Sequence, residues 1–317
     1  MLEHGFLNLC KPKGMTSHAC VAKLRYLLKT KHIGHAGTLD PMATGVLPIA
    51  VNRATKFIQF LHKAKAYDGT IRFGVTTDSD DITGIVLLEC PVPELTHARV
   101  EAALRGFVGN IIQRPPVVSA IRVDGERLYH LARTGKATLE DVPLRHVTVN
   151  SIQLHTFTPG DYPEATISVD CSEGTYIRSI ARECGEVLLV QNGDIPAGAT
   201  LAALHRTRSN GLTHESSVTL EQVERGVQDG TLVLTPPEAL LQHLPRIHMS
   251  PAVERVWRNG QALLWPLGDV MDATPSTSPM PTAVYSDSSV FLGVTTLTLD
   301  ANASRYSITG SRLQLHP

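Results

Sequence analysis

GHAGTLDPMATGVLP, from Gly34 to Pro48, contains Asp40, the only carboxylate between His4 and Tyr67. The same span carries ten basic residues: Lys11, Lys13, Lys23, Arg25, Lys29, Lys31, Arg53, Lys56, Lys63 and Lys65. Nearby positive charge favours the ionised form of a carboxylate, and a basic field attracts a polyanion. The segment therefore reads as a nucleic-acid surface with one reactive oxygen pair at its centre. Pro41 restricts residue 40 to extended backbone, which limits where its side chain points. The competing reading is a plain turn, since Asp-Pro starts turns and Gly34, Gly37 and Gly45 are ordinary loop residues.

The chain has 317 residues, a length that suits about two domains. Its 42% hydrophobic content suffices for a real core. The net charge of −1 says nothing about an RNA partner, but its distribution does: outside residues 4–67 there are 19 basic and 29 acidic residues. The N-terminus MLEHGFLNLCKPKG has no apolar core of a signal peptide. No apolar stretch approaches the roughly 18 residues of a membrane span. Five cysteines, an odd number without a CxxC pair, fit a reducing cytoplasm. His32 and His35 are spaced HxxH but lack a Cys or Glu at zinc-helix spacing, so no metal is expected.

Along the chain, Phe6–Leu9 reads as a short strand. Ser17 is placed to cap a helix over His18–Leu28. Val46–Val51 reads as a buried strand, Ala54–Leu61 as a helix, and Tyr67–Phe73 as an alternating strand. TDSDDIT (Thr77–Thr83) reads as an acidic turn, Thr96–Phe107 as a helix and Thr166–Cys171 as a strand. Tyr176–Val190 reads as a helix whose apolar face is Ile177, Ile180, Ala181, Cys184 and Leu188, with Arg178 and Arg182 on another face. From Arg105 to Lys136 six basic residues oppose two acids, a second basic patch that includes Arg122, Arg127, Tyr129 and His130. Leu234–Ser250, with three prolines, reads as a hinge. Beyond it the chain is β-rich, with strand-like Ala283–Val284 and Phe291–Leu299 and a flexible loop over Asp272–Thr282. From residue 246 onward there are five Arg, five acids and no Lys.

GHAGTLDPMATGVLPIAV (Gly34–Val51), KPKGMTS (Lys11–Ser17) and GTYIR (Gly174–Arg178) closely resemble the bacterial TruB family of tRNA pseudouridine synthases. The resemblance runs through most of residues 5–225 and weakens beyond. It implies an α+β fold with a catalytic domain over residues 1–240, built on a mixed, mostly antiparallel sheet. It also implies an RNA-gripping insertion at about 105–140, opened by Pro115–Ala120, and a small β-rich PUA-like domain over 246–317. Arg122 stands where the family usually has Lys. The implied activity is isomerisation of uridine-55 to pseudouridine in the tRNA T-loop.

That reaction breaks the N1–C1′ bond, turns the uracil and joins C5 to C1′. It needs no redox step, metal or other cofactor. It does need a nucleophile or base near the sugar or ring, and a carboxylate can form a covalent intermediate as in glycosidases. By resemblance, Asp40 is the catalytic carboxylate, Arg178 its partner, and Tyr67 the stacking tyrosine implicated in proton transfer. Tyr176 and Leu204 are implied as pocket walls, His35 as the group filling the space of the flipped nucleotide, and Lys11 and Arg127 as further substrate-binding residues. The implied partner is the tRNA T-stem-loop, with no membrane and no obligate protein partner, for a cytoplasmic monomer. Two other readings use the same surface: a non-catalytic RNA-binding protein or tRNA folding chaperone, and the guide-RNA-dependent branch of the family. A zinc base deaminase is excluded by the lack of an HxE…PCxxC pattern.

Overall fold

The computed structural model describes residues 4–119, 121–123, 126–127, 138–190, 195–272, 278–300, 305–308 and 313–315. Nine strands form one sheet: β1 (Gly5–Lys11), β2 (Ile33–His35), β3 (Thr44–Val51), β4 (Lys65–Phe73), β5 (Gly109–Gln113), β6 (Arg145–Thr158), β7 (Glu164–Cys171), β8 (Ala199–Ser209) and β9 (Leu212–Thr213). Its path is β1-β3-β8-β4-β7-β6-β5, with β2 beside β3 and β9 beside β8. Every pairing is antiparallel except that of β3 with β8. The sheet is mixed and mostly antiparallel, as expected.

The strands follow their side-chain periods. In β7, Ala165, Ile167, Val169 and Cys171 are buried while the residues between them are partly exposed, the pattern of a strand with one face on a core. β1 and β3 are near-continuous apolar runs because both of their faces are covered. Leu7, Leu9, Leu47 and Ile49 pack beneath Cys20, Val21 and Leu24 of helix α1 (Ser17–Leu27), whereas Phe6 and Ala50 face a different cluster. Helices α2 (His97–Arg105) and α3 (Ile177–Val187) cover the sheet elsewhere, α3 through Ile177, Ile180, Ala181 and Cys184. The segment expected as a helix at Ala54–Leu61 is a 3₁₀ helix over Asn52–Phe60.

A second, six-stranded sheet comprises Arg246–Met249, Leu263–Pro266, Met280–Ser286, Phe291–Asp300, Arg305–Ile308 and Leu313–Gln314. It has its own core of Ile247, Met249, Trp257, Val284 and Leu297. Residues 273–277 of the expected loop lie outside the described residues, and Met280–Thr282 belong to a strand. The expected hinge is instead packed. Leu241 and Leu244 join Phe6, Ala54 and Phe57 of the first domain to Ala283, Phe291 and Val294 of the second in one buried cluster. Each leucine, valine or phenylalanine among them contributes about 1.5–3 kcal/mol by burial, so prolines in this connection bend the chain without freeing it. Among the described residues no helix is long and apolar enough to cross a membrane.

Candidate active site

Asp40 sits on a loop held from beneath by the KPKGMTS segment. Gly14 N donates to Pro41 O at 2.7 Å, and Ala43 N donates to Asp40 O at 3.1 Å. Thr16, not Ser17, caps α1, its Oγ1 accepting from Ala19 N. Ser17 instead bonds both polar groups of Leu39, the residue before Asp40. The expectation for Lys11 is also corrected. Its side chain is fully buried, and Nζ donates to the carbonyls of Pro12 (2.8 Å), Met15 (2.7 Å) and Pro41 (3.3 Å). Burial pushes its ammonium down to about 8. Lys11 therefore props the loop and does not face RNA, because a buried ammonium must find acceptors and only loop carbonyls are in reach.

Arg178 stands in the first turn of α3. Its Nη2 donates to Asp40 Oδ1 at 3.1 Å, and its Nε lies 2.9 Å from Oδ2. The guanidinium is pinned from behind: Nη1 donates to Ser79 O at 2.8 Å, Nη2 also donates to Val118 O at 3.1 Å, and Asp81 Oδ2 lies 3.6 Å from Nη1. The arginine side chain is 4% exposed, the aspartate 30%. A fixed cation thus aims a carboxylate that remains reachable. Gln113 on β5 holds the approach to α3 by accepting from Tyr176 N (2.8 Å) and donating to Tyr176 O (3.0 Å).

The TDSDDIT turn is not a solvated loop. Asp81 faces Arg178, and Asp80 accepts from Arg182 Nη1 at 2.5 Å. The sequence reading assigns these acids no role. The available signal was the Arg178/Arg182 pair one turn apart, two cations on a largely buried helix that need partners.

A cavity of about 670 Å³ opens above Asp40, lined by Tyr67, Tyr176, Arg178 and Leu204 among others. Five of the sequence-derived site residues therefore meet in one place. Tyr67 is buried, and burial raises its hydroxyl above the ordinary range; the same holds for Tyr176. Both phenols are neutral near pH 7. His35 does not line the cavity. It stands edge-on behind His18, ring centroids 5.2 Å apart, and His18 forms the wall. Burial lowers His35, assisted by His18 and Arg206. Arg127 belongs to a two-residue strand, Glu126–Arg127, and its side chain lies outside the described residues, as do Tyr129, His130, Arg133 and Lys136.

Arg206 was not singled out by the sequence reading, since HRTR in β8 looks like a polar strand end. It is fully buried and is the cross-strand partner of Tyr67. Its guanidinium donates to the carbonyls of Val46 (2.7 Å), Thr38 (3.1 Å) and Gly37 (3.2 Å). It ties the Asp40 loop to the tyrosine strand.

Residues 25–177 match the N-terminal domain model of the TruB family of pseudouridylate synthases. The chain is 45% identical to the tRNA pseudouridine synthase B of Synechococcus elongatus, over 93% of this chain and 94% of that protein. It is 48% identical to the tRNA pseudouridine synthase B of Gloeobacter violaceus, over 81% of this chain and 85% of that protein. The chain belongs to the TruB family. Family likeness reaches well past residue 225, since the Synechococcus alignment spans 294 residues. The TruB fold is visible in solved structures too. A chain of a Cbf5-Nop10-Gar1 complex superposes with a TM-score of 0.72 at 22% identity, covering 98% of this chain and 85% of that one. A chain of the archaeal box H/ACA sRNP Nop10-Cbf5 complex gives 0.71 at 22% identity, covering 99% and 87%. At such identity these two establish the TruB architecture, an α+β domain followed by a β-rich one, and nothing about partners.

Proposed function

We propose that this chain isomerises uridine-55 of the tRNA T-loop to pseudouridine, as a cytoplasmic monomer without a partner protein, with Asp40, Tyr67 and Arg178 as its catalytic set. The observation that carries this reading is a part-exposed carboxylate held by a buried arginine in a cavity walled by two tyrosines and a leucine. Asp40 is the only acid among the cavity's described lining residues. Extruding the target base costs about a few kcal/mol, and stacking on an aromatic ring returns about 1–3 kcal/mol. In the cavity Arg178 orients the Asp40 carboxylate toward the target nucleotide, the N1–C1′ bond breaks, and the walls retain the detached base until C5 joins C1′. The reaction conserves atoms: C5 gives up a proton and N1 gains one. A neutral Tyr67 hydroxyl is suited to relay it. Residues of about 105–140 serve as the RNA-gripping insertion of a catalytic domain covering 1–240, and 246–317 as its PUA-like domain.

A protein that only bound or refolded tRNA would have no use for an arginine-aimed carboxylate in a cavity, which favours the enzyme. The test is to incubate the purified protein with unmodified tRNA and map pseudouridine by position. Modification at position 55 is expected, and modification elsewhere alone, or none, overturns the reading.

A further inference from the structure

Lys65 and Tyr67 are two apart on β4, so both point to one face, and both line the cavity. Gly37, in the loop leading to Asp40, has φ +111°, and a Cβ built there would stand 3.3 Å from Lys65 Nζ and 3.9 Å from Arg206 Nη1. Glycine leaves open the point on which two cations converge. Among the described residues the Lys65 side chain makes no hydrogen bond or ion pair, and Arg206 has no acidic partner. The groups facing Lys65 are Arg206 on β8, Cys171 on β7 and Glu173 in the loop that follows. Glu173 is itself held by Lys63 at 2.6 Å. Burial first, then Arg206, pushes the Lys65 ammonium down to about 8. Two desolvated cations without a counter-charge are unfavourable, and such arrangements concentrate at functional sites.

We infer that Lys65 receives a backbone phosphate of the RNA strand carrying the target nucleotide, with Arg206 as the buried cation behind it. This rests on the function proposed above. A uracil carbonyl is neutral and would leave the charge uncompensated. A phosphate supplies a full negative charge and acceptors for an ammonium, and a nucleotide entering the cavity brings its flanking phosphates to the mouth. Tight binding then uses protonated Lys65. One unit above pH 8 about a tenth of the free protein is in that form, and since losing the charge weakens binding about tenfold, affinity falls about fivefold between pH 7 and pH 9.

The experiment measures affinity for an unmodified T-stem-loop RNA at pH 7 and pH 9 across a salt series. An Asp40→Asn background prevents turnover. Lys65→Met should weaken binding about tenfold at pH 7, flatten the salt slope by about 0.7 and abolish the pH effect. Lys65→Arg should bind well at both pH values. Without RNA, the Met variant should melt at or above its parent, since an uncompensated cation is gone. Parental affinity and slope in the Met variant overturn the inference, as does an Arg variant that still weakens at pH 9. So does a Met variant that melts far below its parent, which makes Lys65 a structural residue. With Asp40 intact, normal binding but slow single turnover by the Met variant would mean that the cation acts on the base, again overturning it. Wild-type protein that makes no pseudouridine fails the proposed function; normal turnover with normal Lys65→Met binding fails only the phosphate receptor.

Discussion

Ser17 Oγ accepts from Leu39 N at 2.9 Å and donates to Leu39 O at 3.1 Å. One buried hydroxyl thus fixes the N–H and the C=O of Leu39, the residue before Asp40. Removing it leaves an N–H and a carbonyl without their partner at a cost of about 1–3 kcal/mol. Ser17→Ala should lower the melting temperature and slow single-turnover pseudouridine formation more than it weakens RNA binding. A wild-type rate in a correctly folded variant would show that the loop needs no such clamp.

Asp40→Asn keeps the shape and removes the reactive oxygen. Isomerisation should vanish while tRNA affinity stays within a few-fold. Residual turnover well above background in a clean preparation would move the chemistry to another group.

Arg178→Ala should abolish turnover and also destabilise the protein, by about 3–5 kcal/mol for breaking a buried ion pair. The arginine holds Asp40, faces Asp81 and donates to the carbonyls of Ser79 and Val118. Arg178→Lys should recover some stability and little activity, because one ammonium cannot span these acceptors. A fully active Lys variant would show that only positive charge is needed there.

Tyr67→Phe preserves the ring face and deletes the hydroxyl. RNA affinity should be near normal and single turnover very slow. Tyr67→Leu should lose both, as the roughly 1–3 kcal/mol of stacking goes with the ring. Were Tyr67 only a core residue, Phe would be fully active and Leu would chiefly lower the melting temperature; rate, affinity and melting temperature together separate the two.

Gly45 has φ +101°, and a Cβ there would meet Arg206 O at 2.3 Å. Gly45→Ala should cost at least about 1–3 kcal/mol from backbone strain alone, with more from the forced separation of β3 from β8. A melting curve unchanged from wild type would mean that the strands part without penalty.

Most of the fold was legible. The alternation in Glu164–Cys171 and the unbroken apolar run Val46–Val51 reflect local burial, and both are strands. The helix cap was missed by one residue because Thr16 and Ser17 are chemically equivalent locally, and only contact with Leu39 distinguishes them. The hinge expected near Leu234–Ser250 failed because proline content reports backbone stiffness, not packing, and Leu241 and Leu244 lie in a shared core. Lys11 failed for a related reason: charge in sequence implies solvent, and here three carbonyls replace it.

By itself the sequence determined which groups are candidates for the chemistry. An isolated acid in a basic field and the motifs around Asp40, Tyr67 and Arg178 are properties of residue order. The tertiary structure decided which groups surround them. Asp40 and Arg178 are 138 residues apart, and Tyr67 meets Arg206 only through the register of β4 with β8. Asp80 and Asp81 turn inward to two arginines, while Lys65 and Arg206 converge on Gly37. Charge and hydropathy are written along the chain. The distance between two charges, which sets their energy, exists only after strands distant in sequence have paired.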